Sequence, residues 1–423
     1  MGEVCRFLIG PFGSAYDTGN YVETPDYRYV RGQDVKPFFL QDTDPRYMDA
    51  QDYERLKKYV LKEGDILISV VGTLGNAAIV RERDLPAIFS CKSTVVRTDQ
   101  TDPYFLLAYL NSKYGRQLLL RKQRGAVQKG LNLDDLRSLD MPLHSCKFAE
   151  KIREITIACL VSLEESRTLY TTAQQHLLDA LKFEPQNISV SGIAEKTFST
   201  AAAAGRLDAE YYQPKYDDLL ELLDTSPTET LGGLVTIGKS IEPGSAYYTD
   251  TGIPFIRVSD ISPMGIQPPS IHIPPSIEPS IERLYPRRDT ILFSKDGSVG
   301  IAYKVEEDMA AVTSGALLHL RLRDEVAVLP DFLALVLNSD IVRLQAERDT
   351  NGSVIEHWSI ADIERVVIPL LAPPIQREIA AQVQQSFALR RSAEQGIAAA
   401  VRAVEIAVEE DEAAALSFLA AQG

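Results

Sequence analysis

Two stretches of the chain pattern apolar residues and glycines alike. In "GDILISVVGTLGNAAIV", from Gly64, the β-rich run "ILIS" leads into turn chemistry at "VGTLGN", and "AAIV" resumes the apolar run. That order predicts strand, tight turn, strand. "ILFSKDGSVGIAYKV", from Ile291, repeats it: Ser69, Gly72, Gly75, Ala77 and Val80 align with Ser294, Gly297, Gly300, Ala302 and Val305 at a constant offset, 297 − 72 = 225. Three further matches follow in the same order. "GSAY" at Gly13 recurs at Gly244, "YFLLAYLNS" from Tyr104 matches "DFLALVLNS" from Asp331, and "RGAVQKGLNLDDLRSLDMPL" from Arg124 matches "NGSVIEHWSIADIERVVIPL" from Asn351. Co-linear matches of this kind define two copies of one module of roughly 200 residues, not a short-period solenoid.

Within a copy, "DPYFLLAYLNSKYGRQLLLRKQ" has the apolar spacing of one helix or two short ones. Asp102 before Pro103 is its expected N-cap. "RGAVQKG" reads as a loop, and "NLDDLRSLDMPL" as a short helix leading to a strand that ends at a proline. After each proline the period changes to that of a long helix. From Phe148, apolar or small residues fall at Ile152, Ile155, Cys159, Leu163, Tyr170, Ala173, Leu177 and Leu181; from Ile375 they fall at Ile379, Val383, Phe387, Ile397, Val401, Val404 and Val408. Each helix, at roughly 35–40 residues, is about 50–60 Å long. A narrow stripe of that length calls for a partner helix, and the repeat supplies one. The alternative is that each packs on its own globular domain. Residues 185–205 are polar and rich in small side chains, as in a linker. "RLDAEYYQPKYDDLLELL", from Arg206, opens the second copy with a short helix after Pro214, and the first copy has no matching lead-in.

The expected fold is therefore α+β, with two homologous α/β domains separated by two long antiparallel coiled-coil helices. The boundaries are 1–145 for the first domain, 146–184 for the first long helix, 185–205 for the linker, 206–370 for the second domain and 371–423 for the second long helix and an acidic tail. The 423 residues, 45% hydrophobic and 24% charged, suit a multidomain soluble protein. No apolar run of about 18 residues exists, and no secretory or myristoylation pattern opens the chain. Four cysteines without a C-x-x-C pair and five scattered histidines give no disulfide framework and no zinc spacing. A cytoplasmic location is expected.

The net charge of −15 argues against a simple basic nucleic-acid binder. The halves differ, however. Residues 1–205 hold 26 basic and 26 acidic side chains, so the remainder carries the whole excess.

Neither glycine turn carries the Lys-Ser/Thr of a phosphate loop, and neither opens a helix as a dinucleotide fingerprint must. No metalloprotease, nucleophile-elbow or amino-methyltransferase motif occurs. The acid pairs Asp134–Asp135 and Glu164–Glu165 read as solvated helix faces. The chain is expected to be non-catalytic, without a metal or a cofactor of its own. The strongest charge signal is "GRQLLLRKQRGAVQKG", with Arg116, Arg121, Lys122, Arg124 and Lys129 interleaved with Gln117, Gln123 and Gln128. Arg and Lys suit phosphates and guanine edges, and Gln suits adenine edges. The bland alternative is a solvated basic helix end. The second copy offers a different polar set: Lys295, Arg343, Arg348, Asn351, Ser353, His357 and Trp358. One scaffold with two sets of reaching residues is the pattern of two modules that read two sequences.

The two glycine turns, the paired "GAVQKGLNLDDLRSLDMPL" motif, "RLDAEYYQPKYDDLLELL" and "PPIQREIAAQVQQSFALRRSAEQ" resemble the specificity subunit of type I restriction-modification systems, over nearly the whole chain. The resemblance implies two target recognition domains, each reading one half of a split site in double-stranded DNA, held apart by the helices. It implies docking of two methyltransferase subunits, here through the striped helices with Ile152, Ile155, Leu163, Ile379, Val383 and Phe387. Those subunits use S-adenosylmethionine, and a translocase-nuclease subunit joins them in phage defence. A rival from another class is a protein-binding scaffold or inhibitor of the same fold without sequence-specific DNA binding.

Overall fold

The computed structural model describes the chain except residues 12, 126–128, 185–192, 351–355 and 423. It divides into two units, Met1–Leu163 with Arg390–Gly423, and Glu164–Leu389.

The first unit begins β1 (Cys5–Ile9), β2 (Tyr27–Val30), β3 (Tyr47–Met48), α1 (Ala50–Arg55), β4 (Ile66–Ser69), β5 (Ala77–Ile79), β6 (Ala87–Phe89) and β7 (Ser93–Thr98). The helices α2 (Pro103–Asn111), α3 (Lys113–Arg121), α4 (Leu133–Arg137) and the start of α5 (Cys146–Ala180) follow. One antiparallel sheet has the order β1-β7-β4-β5, and a smaller one the order β3-β2-β6 with β2 parallel to β6. Every residue of β4 and β5 is buried, which is why both read as unbroken apolar runs. Asp102 caps α2, accepting from the N–H groups of Tyr104 and Phe105, with Pro103 at the first helical position.

The second unit takes the rest of α5, α6 (Phe198–Ala204), α7 (Pro214–Leu223), β8 (Thr228–Thr230), α8 (Leu231–Leu234), β9 (Val235–Lys239), β10 (Ile253–Ile256), β11 (Ile261–Ser262), β12 (Gly265–Ile266) and β13 (His272–Ile273). It continues through β14 (Ile291–Ser294), β15 (Asp296–Gly297), β16 (Ala302–Lys304), β17 (Val312–Thr313), β18 (Leu317–Leu322), α9 (Pro330–Leu337), α10 (Asp340–Asp349), β19 (Glu356–His357), α11 (Ile360–Glu364) and β20 (Val367–Pro369). The helix α12 (Pro373–Glu409) starts here; its end and α13 (Glu412–Gln422) belong to the first unit. The sheet order β9-β18-β14-β16 repeats β1-β7-β4-β5, and β13-β10-β17, with β10 parallel to β17, repeats β3-β2-β6. A repeat in the chain is thus a repeat in the fold.

The copies differ at one edge. In the second unit β20 pairs with β8 of the lead-in. The equivalent stretch of the first unit, from Leu139 to Pro142, forms no strand. The Met1 ammonium donates to the Leu139 carbonyl at 2.5 Å and the Gly2 N–H to that of Arg137 at 2.8 Å. The strand expected there therefore exists only in the second copy, because a strand needs a neighbour to take its hydrogen bonds.

The two long helices pack in both of the ways anticipated. In the first unit Phe148, Ile152 and Leu160 of α5 share one core with Ala400, Ala403 and Val404 of α12 and with α2. In the second, Tyr170 and Leu177 share a core with Ile379, Val383 and Phe387. Contacts run antiparallel: Ser386 Oγ donates to the Ser166 carbonyl at 2.6 Å, while further along α5 His176 faces Glu378 at 3.8 Å. This corrects the partner-binding set. Ile152 and Ile379 are fully buried, Val383 and Phe387 nearly so, and Ile155 and Leu163 partly so, all against their own cores. These six side chains therefore offer no open face to another protein.

The acidic break before α13 also has a different role from a tail. Glu412 accepts from Ser145 N at 2.6 Å and from its hydroxyl, and Ser145 caps the start of α5. Glu409 takes Arg402, Lys113 and the Tyr114 hydroxyl, and those partners pull its carboxyl down to about 2. Ala415 and Leu419 then bury α13 in the first core.

Two predictions follow from this packing. A Cβ at position 396 of α12 would overlap the Cys159 sulfur. Gly396→Ala, which ordinarily gains about 1 kcal/mol inside a helix, should lower the melting temperature, and adding Cys159→Ala should restore it. On β18, His319 is buried against the Thr313 hydroxyl at 2.9 Å, and burial with nearby Arg321 pushes its pKa down to about 4. The unfolded chain takes up that proton near pH 6.5 while the fold resists it, so stability should fall between pH 6.5 and 4. His319→Gln should flatten the pH dependence of the melting temperature in that window.

Candidate nucleic-acid interface

The glycine turns come first, because everything else at the site hangs on them. Gly72 and Gly75 have φ of +85° and +79°, Gly297 and Gly300 +79° and +82°. These are backbone angles that glycine adopts without strain. A serine ties each turn from inside. Ser69 Oγ accepts from Asn76 N at 3.1 Å and donates to the Thr73 carbonyl, while the Ser69 carbonyl accepts from Gly75 N at 2.9 Å. Ser294 does the same with Ile301 N at 2.8 Å, the Ser298 carbonyl at 2.6 Å and Gly300 N at 2.9 Å. Amides committed to the hairpin are not free to cradle a phosphate.

Against each turn lies the loop that the sequence marks as a reader. Arg124 and Gly130 exchange backbone hydrogen bonds at 2.9 and 2.8 Å, and Leu131 N donates to the Val70 carbonyl at 3.0 Å. In the second copy β15 pairs with β19, and Trp358 N donates to the Lys295 carbonyl at 2.8 Å. Leu131 and Trp358 are equivalent positions, so each loop is anchored to its glycine turn by the same bond.

The fate of the named side chains is mixed. Arg116 donates to Asn76 Oδ1 at 3.1 Å, and Asn76 in turn donates to the Val35 carbonyl, so this arginine fixes α3 to the turn. Lys122 reaches the Ser138 hydroxyl at 2.8 Å. Arg124 pairs at 2.8 Å with Asp135, a carboxylate that also closes the N-terminal box of α4 with Asn132. Arg121 and Lys129 are exposed and have no partner among the described residues. Gln128, Asn351 and Ser353 lie outside the described residues.

In the second unit Lys295 pairs with Asp296, and His357 Nδ1 lies 2.8 Å from the same carboxylate. Arg343 sits between Asp340 and Glu347 on the surface of α10. Arg348 pairs with Asp349 at 2.8 Å and lies over the Tyr211 ring of the lead-in at 5.4 Å. Trp358 is a correction. It is 1% exposed and packs on Phe293 at a ring distance of 5.7 Å, so it holds the loop and does not reach out of it.

Sequence reasoning missed two cations at the same end of the first unit. Lys92 is exposed, and its carbonyl accepts from Val70 N at 2.9 Å beside the turn. Lys36 follows Val35, whose carbonyl holds Asn76. Neither side chain has a partner among the described residues. Both belong to loops distant in sequence from the reader loop, and a backbone bond at Lys92 and the Asn76 side chain at Val35 bring them to it. Among the described residues no group of acids, histidines and cysteines could hold a metal ion, and no helix is long and apolar enough to cross a membrane.

Trp358 is the single tryptophan of the chain. Truncating a large buried aromatic costs about 3–5 kcal/mol. Trp358→Ala should therefore lower the unfolding free energy of the second unit in urea by that order, whereas Trp358→Phe should keep most of it. In the parent chain, tryptophan fluorescence should be that of a buried ring and shift to longer wavelength on unfolding.

No protein-family model and no curated protein matches the sequence. Solved structures are similar over nearly the full length. The type I restriction-modification system S subunit from M. genitalium is 14% identical, with 96% of this chain and 92% of that chain covered at a TM-score of 0.44. The HsdS subunit from Thermoanaerobacter tengcongensis is 18% identical, with 97% and 94% covered at a TM-score of 0.31. A structure concerned with complex assembly and conformational transition of the type I R-M system is 18% identical, with 97% of both chains covered at a TM-score of 0.31.

Proposed function

We propose that this chain is the non-catalytic specificity subunit of a type I restriction-modification assembly, reading a bipartite DNA site with one domain per half-site. One observation carries the reading. The two copies keep the serine and glycines that tie each hairpin and the backbone bond that anchors each loop, and they vary the polar side chains on and around that loop. A scaffold conserved to hold a variable rim is the arrangement that sequence reading asks for. The motifs that resemble the specificity-subunit family support it. Two methyltransferase subunits dock on the outer faces of α5 and α12 and bring S-adenosylmethionine, and a translocase-nuclease subunit completes the complex. The chain acts in the cytoplasm.

The net charge of −15 favours a second reading, a scaffold without DNA binding. Gel shifts of the purified complex separate the two, because a complex bound through phosphates must weaken steadily as salt rises.

The specificity reading is tested by mapping methylated bases with the cognate methyltransferase. Exchanging residues 125–129 for the equivalent loop of the second copy should change one half-site and leave the other intact. Recognition lost equally at both half-sites would contradict one reader per domain.

A further inference from the structure

Resting on that reading, we infer that the first domain supplies the phosphate grip of the complex and that the second reads DNA with almost none. The argument starts from four cations at the loop end of the first unit: Lys36, Lys92, Arg121 and Lys129. They come from four different segments, yet the Asn76 side-chain amide on the Val35 carbonyl and the backbone bonds at Val70 and Gly130 gather those segments around one glycine turn. None of the four side chains has a hydrogen bond or ion pair among the described residues. Cations held at a rim and left unpaired are what a polyanion binds most readily, because no internal partner has to be given up.

The repeat allows each position to be compared with its equivalent. Asp34 and Asp260 close matching turns with Arg31 and Arg257, and two residues beyond them Lys36 corresponds to Ser262. Lys92 accepts from Val70 N as Ala316 accepts from Lys295 N, both at 2.9 Å, so the lysine corresponds to an alanine. At the offset of 227 that aligns the loops, Lys129 becomes Glu356. Only Arg121 keeps its charge, as Arg348, and there the guanidinium is held by Asp349 and stacked on Tyr211. The aspartate stands where the first copy has Lys122. All four free cations are thus removed or tied up on an otherwise matching scaffold.

The whole domains follow the same division. Residues 1–145 hold 20 basic and 19 acidic side chains, whereas residues 206–370 hold 14 and 26, a net of −12. Glu242, which accepts from Gly315 N at 2.9 Å, adds negative charge at the loop end itself, and Asp296 neutralises Lys295 there. A rim of this kind can read base edges through neutral donors, but it gains little from counterion release.

The test uses the full chain with its methyltransferase and a fluorescent duplex of scrambled sequence, titrated across a range of salt. One variant carries Lys36→Gln, Lys92→Gln, Arg121→Gln and Lys129→Gln. A second, matched in net charge, carries Lys239→Gln, Lys295→Gln, Arg321→Gln and Arg343→Gln. At about 0.9 per phosphate contact, the slope of log K against log salt should shrink by about three to four in the first variant and by less than about one in the second. Equal slopes in the two variants, or the larger loss in the second, would overturn the inference. Melting curves check that both fold. Should the first not fold, Lys92→Gln and Lys129→Gln alone should each lower the slope by about 0.9. Methylation mapping of the parent complex keeps the two claims apart. A bipartite specificity with equal slopes sinks only the division of labour, whereas a parent complex with no sequence preference sinks the specificity reading itself.

Discussion

Neither long helix can bury its apolar stripe alone. A helix of 35 or 37 residues with one such face is stable only where something covers it. Here the cover is shared. In each unit the stripe of one helix meets both the globular domain and the antiparallel other helix, so two demands are met by one face. Two equivalent layers show how the seam is specified. At the offset of 227, Cys159 corresponds to Ser386 and Ser166 to Ala393. In the second unit the layer is a pair of buried serines joined at 3.1 Å; in the first, Cys159 lies against Gly396 and Ala393 is buried. A hydrogen-bonded pair fixes register, because sliding the helices would leave buried hydroxyls unpaired, while the small-residue layer lets the helices approach closely.

The domains repeat the same economy on a smaller scale. Asn111 and Asn338 sit one before the end of equivalent "NS" motifs. Each donates to the first strand residue beyond the glycine turn, Ala77 at 2.9 Å and Ala302 at 2.8 Å. With Ser69 and Ser294 tying the turns, two short polar side chains per domain fix the hairpin to its covering helix. Such groups must be kept, since losing one strands a buried partner. The loop residues beyond them answer to no such demand, so the copies were free to diverge there.

Much of this was legible in the chain, and the part that was not has a physical cause. The glycine turns were readable because a positive φ admits few residues, and the long helices because their period persists over many turns. The β3-β2-β6 sheet was not, since strands of two to four residues carry almost no period. Trp358 reads as a reaching residue because it stands among polar residues in the sequence, although its neighbour in space is Phe293. Ile152, Ile155, Leu163, Ile379, Val383 and Phe387 read as a docking face for partner proteins, but the other long helix and the chain's own domains cover them. The acids before α13 read as the start of a tail, while their partners Lys113 and Ser145 lie far away in the chain. Contacts of that range leave no local signature.

The lead-in to the second domain joins the mechanical and the electrostatic sides of the molecule. The segment from Arg206 to Thr230 supplies β8 to the edge of β20 and packs α7 against α10 through Lys215 and Glu347. In the same stroke it brings Tyr211 under Arg348, with Arg206 stacked on the same ring at 4.9 Å and paired to Asp208. Stabilising that edge therefore takes the arginine out of solvent. In the first unit Met1 and Gly2 meet the equivalent carbonyls with backbone amines alone, and the equivalent Arg121 keeps its charge at the surface. How each copy closes its sheet edge thus also sets how much charge its rim presents, and two domains of one fold carry unequal charge at the same place.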